Sequence, residues 1–438
     1  MTSGFAALPG AARLVLANAT IPAATLIGES GGVDVGEGLV RTDLVIDDGR
    51  IAAIAPPGSV RGPAVFDMDH GQIWPCFIDM HTHLDKGHIA PRHANADGTF
   101  DGALAAVAAD REAHWSAGDV RARMEFALKC AYAHGTKLIR THIDSLPPQF
   151  PASWPAFVAA REAWAGKVEL QAVALTPIDK YLDEGFLRLL VDTVIDAKAV
   201  LGGVTFMIPE LPVALDLLFF EAARHGLDID LHVDETADPS ACSLRAIVEA
   251  ALRIRYEGRV TVGHCCSLAL QEESEADRTM DLVAEAGIAV VSLPMCNMYL
   301  QDRRPGRTPR WRGVMLLKEM RARGIPVAIA SDNTRDPFYA YGDLDMVEVL
   351  RESVRILQLD HPLDEAPALV TCNPAMIVRR PDLGRIALGE AADLVLFRAR
   401  GWSEFLSRPQ SDRIVLRQGK AIDRTLPDYR ELDSLLGG

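Results

Sequence analysis

The sequence predicts an α/β chain: a (β/α)8 TIM-type barrel with a small β-sandwich formed from both termini. Three observations predict it. Eight short apolar runs alternate with stretches of helical spacing through the middle of the chain. Segments of alternating apolar and polar residues, broken by turn signals, stand at both ends. No G-x-G-x-x-G or G-x-x-x-x-G-K-[ST] sequence supports the competing architecture, a doubly wound open sheet. With 438 residues, 49% apolar and 24% charged, the chain has material for one large domain and a smaller one, and neither disorder nor a fibre fits.

Residues 1–74 read as the first part of the sandwich. Strands are expected at 14–17, 44–46 and 51–54, with Asp48-Gly49 as a turn and Pro56-Pro57-Gly58 closing the third. Residues 75–380 carry the barrel. Its runs lie at 73–83, 137–144, 168–177, 203–210, 229–235, 260–265, 288–294 and 327–333, separated by helical patterns such as Leu187, Leu190, Val191, Val194 and Ile195. Continuous apolar runs between helices imply strands buried on both faces, hence a parallel sheet. Residues 381–438 return to the sandwich, with strands at 392–397 and 413–416 and a turn at Gln418-Gly419-Lys420.

Forty-five Lys and Arg against sixty Asp and Glu leave a formal charge of −15, so the mean field repels phosphate backbones and anionic lipid. Neither a nucleic acid polymer nor a membrane is expected as partner, whereas a single nucleobase carries no phosphate and is not excluded. The seven cysteines are scattered without a CxxC pair, which suits a reducing cytoplasm better than a disulfide framework. No basic, then apolar leader and no run of about 18 apolar residues occurs, so an unexported cytoplasmic protein is expected. A homo-oligomer stays open.

Barrel chemistry is done at the C-terminal ends of the strands. The first run closes on His81-Thr82-His83, and side chains two apart on a strand share a face, so both imidazoles can reach one cation. Alone, an H-x-H is as readily structural. The fifth run ends in His232-Val233-Asp234-Glu235, the sixth in His264 and the eighth in Asp332. Two imidazoles from one strand, a third from another and a carboxylate make a mixed nitrogen and oxygen set suited to Zn2+ or Fe2+. Such an ion lowers the pKa of its water to about 7. Glu235 stands where a strand gives way to a loop and can carry a proton to a leaving group. His264 can hold the attacking oxygen, and Asp332 can take its proton. The bland alternatives are a solvated loop carboxylate for Glu235 and a satisfied core histidine for His264.

In order along the chain, Pro75-Cys76-Phe77-Ile78-Asp79-Met80-His81-Thr82-His83-Leu84-Asp85, Arg140-Thr141-His142-Ile143-Asp144, His232-Val233-Asp234-Glu235, Gly263-His264, Asn297-Met298-Tyr299-Leu300-Gln301, Ser331-Asp332-Asn333 and Asp336-Pro337-Phe338 form a familiar series. On these segments the sequence resembles the amidohydrolase superfamily, and within it the mononuclear cytosine deaminase group, over essentially its full length. The resemblance implies that His81, His83, His232 and Asp332 bind one divalent transition metal ion. It implies that Glu235 shuttles protons, that His264 orients the nucleophile, and that the β-rich ends pair into one small sandwich. The fourth run contains no lysine, which argues against the binuclear branches with their carboxylated bridging lysine. Lys86 lies past the strand end and reads as a loop cation.

Three departures bear on substrate. Residues 174–179 lack the glutamine that cytosine deaminases place near the third strand end, Asn333 stands where a second aspartate is usual, and Phe338 stands where a tryptophan closes the pocket. Changed edge readers imply a changed ligand, because unpaired buried polar groups are costly. The expected function is metal-dependent hydrolytic deamination of an amino-substituted nitrogen heterocycle, a cytosine-like pyrimidine or related cyclic amidine, releasing ammonia. Asn333, Phe338 and His88 are assigned to the substrate ring. One alternative keeps the hydrolase but cleaves another C–N bond, in a cyclic amide or N-substituted aminoheterocycle. A remoter one is a non-catalytic scaffold barrel, against which the full ligand set argues. Residues 294–298 read either as pocket lining or as core filler.

Overall fold

Apolar runs without polar alternation make strands with no wet face, and the middle of the chain is built from them. In the computed structural model, which describes residues 8–28 and 30–436, Ile229–Val233, Val260–His264, Ala289–Ser292 and Val327–Ile329 are buried at every position. They follow Leu201–Thr205 in a five-stranded parallel sheet, in which His232 lies opposite Gly263 and Val233 opposite His264. A second sheet orders Phe77–Thr82, Thr136–Asp144 and Glu169–Leu175, the last two parallel. Isolated parallel bridges Val173 to Val200, Pro177 to Val204 and Thr82 to Asp332 lie between strands of the two sheets. The result is an α/β fold in which each expected run contains a strand.

Two runs differ in extent. The first is split: Ile73–Pro75 pairs antiparallel with Leu394–Leu396, and the strand bearing His81 starts at Phe77. Pro75 has no N–H to donate, so a ladder is easily broken there. The fourth strand is shifted to Leu201–Thr205, leaving Phe206 and Met207 outside it and exposed at 40% and 48%. Pro209 and the helix Leu211–His225 take over at this point. Between strands, amphipathic helices cover the sheet: Glu184–Asp196 buries Leu187, Leu190, Val191 and Val194, while Ile195 of the expected stripe is exposed.

The chain divides into two units. One comprises Asp79–Leu128, Leu138–Leu344 and the C-terminal residues from Asp428. The other takes the residues up to Ile78, Lys129–Lys137 and Asp345–Pro427. Residues 129–137 and 345–380, which the sequence reading put in the barrel, thus group with the terminal strands. In that unit Arg13–Pro22 pairs with Leu39–Asp47, which turns back into Arg50–Ala55 through Asp48 and Gly49, both at positive φ as a tight hairpin requires. Leu16, Ile21, Leu44, Ile73, Leu394, Leu396 and Leu416 share one apolar core, so N- and C-terminal segments bury each other's faces. Among the described residues, no helix is long and apolar enough to cross a membrane.

Polar cement joins the same unit. Arg413 binds Asp345 bidentately at 2.6 and 2.7 Å and also donates to the His134 carbonyl. Burial would raise the Asp345 pKa, but the Arg413 guanidinium and then His134 outweigh it and hold the carboxyl below its ordinary value. A depressed folded-state pKa contributes stability above the ordinary carboxylate pKa of 3.8 that is lost as pH falls through the lower folded value. Arg413→Ala strands the Asp345 charge and is expected to cost about 3–5 kcal/mol near pH 7, with a smaller loss under acid. Denaturant midpoints at both pH values check this, and a loss independent of pH would contradict it.

Candidate active site

The C-terminal ends of three strands, with the residues just past two of them, build the site. His81 lies on Phe77–Thr82 and His83 just beyond it, His232 lies on Ile229–Val233, and Asp332 follows Val327–Ile329. All four are buried. His81 Nε2 and His83 Nε2 each lie 3.2 Å from His232 Nε2, and Asp332 Oδ1 is 3.6 Å from the first and 3.2 Å from the second. The expected ligand set therefore meets at one point.

The arrangement fits a cation. A tetrahedral ion with ligands at about 2.0–2.1 Å would separate them by about 3.3–3.4 Å, the scale of these distances. Both Asp332 oxygens lack a hydrogen-bond partner within the protein although the residue is fully buried. Burial first, and the surrounding histidines and Lys86 after it, hold His81, His83 and His232 well below the ordinary imidazole pKa, which keeps them in the neutral form that can donate a lone pair. Burial also raises Asp332 and Glu235, and their mutual repulsion raises Glu235 further. A positive ion resolves that conflict, whereas a proton is the next best remedy.

The backbone is shaped to deliver these groups. Asp332 and His264 sit at φ +63° and +70°, in the left-handed region that costs a non-glycine residue energy and is held by its surroundings. For Asp332 the surroundings are explicit. Its N–H donates to the His81 carbonyl at 2.8 Å, Thr82 Oγ1 donates to its carbonyl at 2.7 Å, and Ser331 donates to Asp79 through its backbone at 3.1 Å and its hydroxyl at 2.5 Å. Gly263 makes room on the other side: a Cβ there would stand 2.9 Å from His81 Cε1.

Glu235 and His264 lie beside the four. His264 Nδ1 is 3.3 Å from Glu235 Oε1, and Asn297 Nδ2 reaches both, at 3.1 Å from the carboxylate and 2.9 Å from the imidazole. Burial pushes His264 down to about 3, so the ring is neutral near pH 7. His83, His232, Glu235, His264 and Asp332 line one cavity of about 870 Å3, together with Asn333 and Phe338. Asn333 donates to Asp336 Oδ2 at 2.7 Å and Phe338 packs edge-on to Phe100. His88, assigned to the substrate ring from sequence, is not among the residues that line this cavity; it packs edge-on to Phe126 at a left-handed backbone position. Residues 294–298 are divided, for the helix Pro294–Leu300 sends Asn297 to the site and leaves Met298 exposed.

Sequence reasoning missed three groups. Lys86 is no free loop cation; it lies buried in the cavity wall, paired with Asp144 at 2.9 Å, while Arg111 binds the other Asp144 oxygen at 3.4 Å. His142 packs against His81 with ring centroids 3.9 Å apart and planes tilted by 37°. Asn297 had a signal, its place in the Asn297-Met298-Tyr299-Leu300-Gln301 segment, but no role attached to it.

Comparison with known proteins places the geometry. The amidohydrolase family model matches residues 155–422. A pterin deaminase of Rhizobium rhizogenes is 61% identical over 438 residues, the whole of both chains. Among solved structures, the 5-methylcytosine deaminase of Klebsiella pneumoniae superposes with TM-score 0.80 at 24% identity, covering 95% of this chain and 98% of that one. The N-isopropylammelide isopropylaminohydrolase of Burkholderia multivorans gives TM-score 0.75 at 28% identity, covering 94% and 98%.

Gly263→Ala forces its new methyl against the His81 ring, and is expected to cost about 1–3 kcal/mol of stability as an overpacked site. It is also expected to lower bound metal. Denaturation midpoints and elemental analysis of the purified variant check both, and unchanged values would show the ring is free to yield.

Proposed function

This chain belongs to the amidohydrolase family and is a hydrolytic deaminase acting on C–N bonds; from that premise we propose that its substrate is a pterin, a two-ring aminoheterocycle. The observation that carries the pterin reading is the 61% identity to a pterin deaminase across both full chains. A cavity of about 870 Å3 with Phe100, Phe206, Phe338 and Leu175 in its wall gives apolar faces for a fused flat ring. Cytosine, the ligand of the group that the sequence resembles, has no such support, in keeping with the altered Asn333 and Phe338 positions.

The same reading includes finer features of the fold and site. Eight parallel strands closing into a barrel are supported by the isolated bridges between the two sheets, and a terminal sandwich by the shared core of both chain ends. The family is metal-dependent, and His81, His83, His232 and Asp332 would hold one ion, Zn2+ or Fe2+ on donor chemistry. When bound, the ion supplies Lewis-acid activation of the attacking water. A reducing cytoplasm suits seven cysteines that are all free thiols.

The chain's own groups then move protons. Water adds across the ring C–N unit at the carbon bearing the amine, with Asp332 accepting its proton and Glu235 protonating the ring nitrogen. Collapse breaks the exocyclic C–N bond, and the amine leaves as ammonia with the proton held by Asp332. The hydroxyl gives its remaining proton to Glu235 as it becomes the carbonyl, and the product is a lactam with both carboxyl groups back in their starting states. Burial suits Glu235 to this work, because a raised pKa lets the carboxyl give a proton as well as take one. Lys86 in the wall supplies fixed positive charge that eases ionisation of both carboxylates.

The metal-loaded protein is expected to release ammonia from pterins and much less from cytosine or aminotriazines. Glu235→Gln is expected to lower kcat by about 10²–10⁴-fold. No ammonia from any pterin overturns the substrate reading, and alkylamine release from a substituted triazine would favour the other branch. Chelation or His232→Ala is expected to lower metal content and Tm together; a Tm indifferent to metal would contradict the ligand assignment.

A further inference from the structure

We propose that Asn297 is a positioning residue that fixes His264 as a hydrogen-bond donor toward the reaction and reserves the proton shuttle for Glu235. The inference rests on the deaminase reading of the site. Asn297 Nδ2, Glu235 Oε1 and His264 Nδ1 form a triangle with sides of 3.1, 2.9 and 3.3 Å. A primary amide nitrogen has two hydrogens and no lone pair to give, so it satisfies both neighbours only if each accepts. Turning the amide over would set its oxygen against the Glu235 carboxylate. With Nδ1 accepting, neutral His264 carries its proton on Nε2, an atom with no partner within the protein on a residue that lines the cavity.

The consequence is a division of labour. A protonated Nε2 can hold and polarise an oxygen but cannot act as base, so proton uptake falls to Glu235 and Asp332. Without the amide, His264 Nδ1–H can donate directly to Glu235 across the 3.3 Å gap, which moves the lone pair to Nε2 and engages the shuttle in a charge-assisted bond. Three features fix the amide. It is fully buried, it rides on the helix Pro294–Leu300, and Gln301 at the end of that helix donates to the Glu235 carbonyl at 3.3 Å. The spacing of Asn297 and Gln301 thus pins the Glu235 loop at its side chain and its backbone.

The test reads the tautomer directly. In zinc-loaded protein with 15N-labelled histidine, the His264 signals, assigned by their loss in His264→Gln, are expected to show Nε2 protonated. In Asn297→Ala they are expected to change to Nδ1 protonated, with kcat down at least 100-fold, KM within threefold and zinc content unchanged. Wild-type His264 protonated on Nδ1 overturns the proposal. So does a loss of kcat in Asn297→Ala without a change of tautomer, which is what mere packing damage would give. If that variant does not fold, Asn297→Ser replaces it, and the wild-type spectrum still decides. The spectrum needs no substrate, so failure of the pterin reading would be seen separately, as absence of ammonia from the wild-type enzyme.

Discussion

Three neutral imidazoles and a buried carboxylate aimed at one point form the constraint on which the rest of this structure depends. Each group alone is a liability. A buried carboxylate with two unpartnered oxygens is driven to protonate, and buried histidines give up their charge. Together they form a donor set whose spacing and chemistry suit a small divalent cation, whose binding would offset the cost of burying them.

That convergence has to be built, and the structure spends backbone strain and packing on it. Asp332 holds a left-handed conformation because its own N–H and carbonyl are tied to the strand that carries His81, and because Asp79 grips Ser331 just before it. Gly263 leaves the gap that the His81 ring occupies, and the register that sets Gly263 opposite His232 puts the smallest residue where two ligand-bearing strands come together. Glu235 and His264 are held in the same way, by a short helix that begins at Pro294 and brings one amide between an imidazole and an acid.

Much of this was readable in the chain. The alternation of apolar runs and helical stretches gave the α/β character, and the four residues expected as ligands, with Glu235 and His264, all stand at run ends where the fold brings them together. The apolar run at 203–210 misled by a few residues, since a strand and the loop after it can be equally apolar, and Pro209 with the following helix decided where the strand stopped. The packing of His88 against Phe126 was not legible, because a histidine near such a motif carries no mark of its distant neighbours. Lys86 read only as a loop cation, since its partner Asp144 closes the distant strand Thr136–Asp144, at a separation that no local pattern encodes.

By itself, then, the sequence determined which kinds of groups stand at the ends of which runs, because the period of a strand and the chemistry of His, Asp and Glu are local properties. The tertiary structure alone decided which of them share a cavity, that Asn297 mediates between Glu235 and His264, and that residues 345–380 group with the chain ends through Arg413 and Asp345. These are pairings between distant positions, and their energies depend on distance and burial, which exist only once the chain is folded.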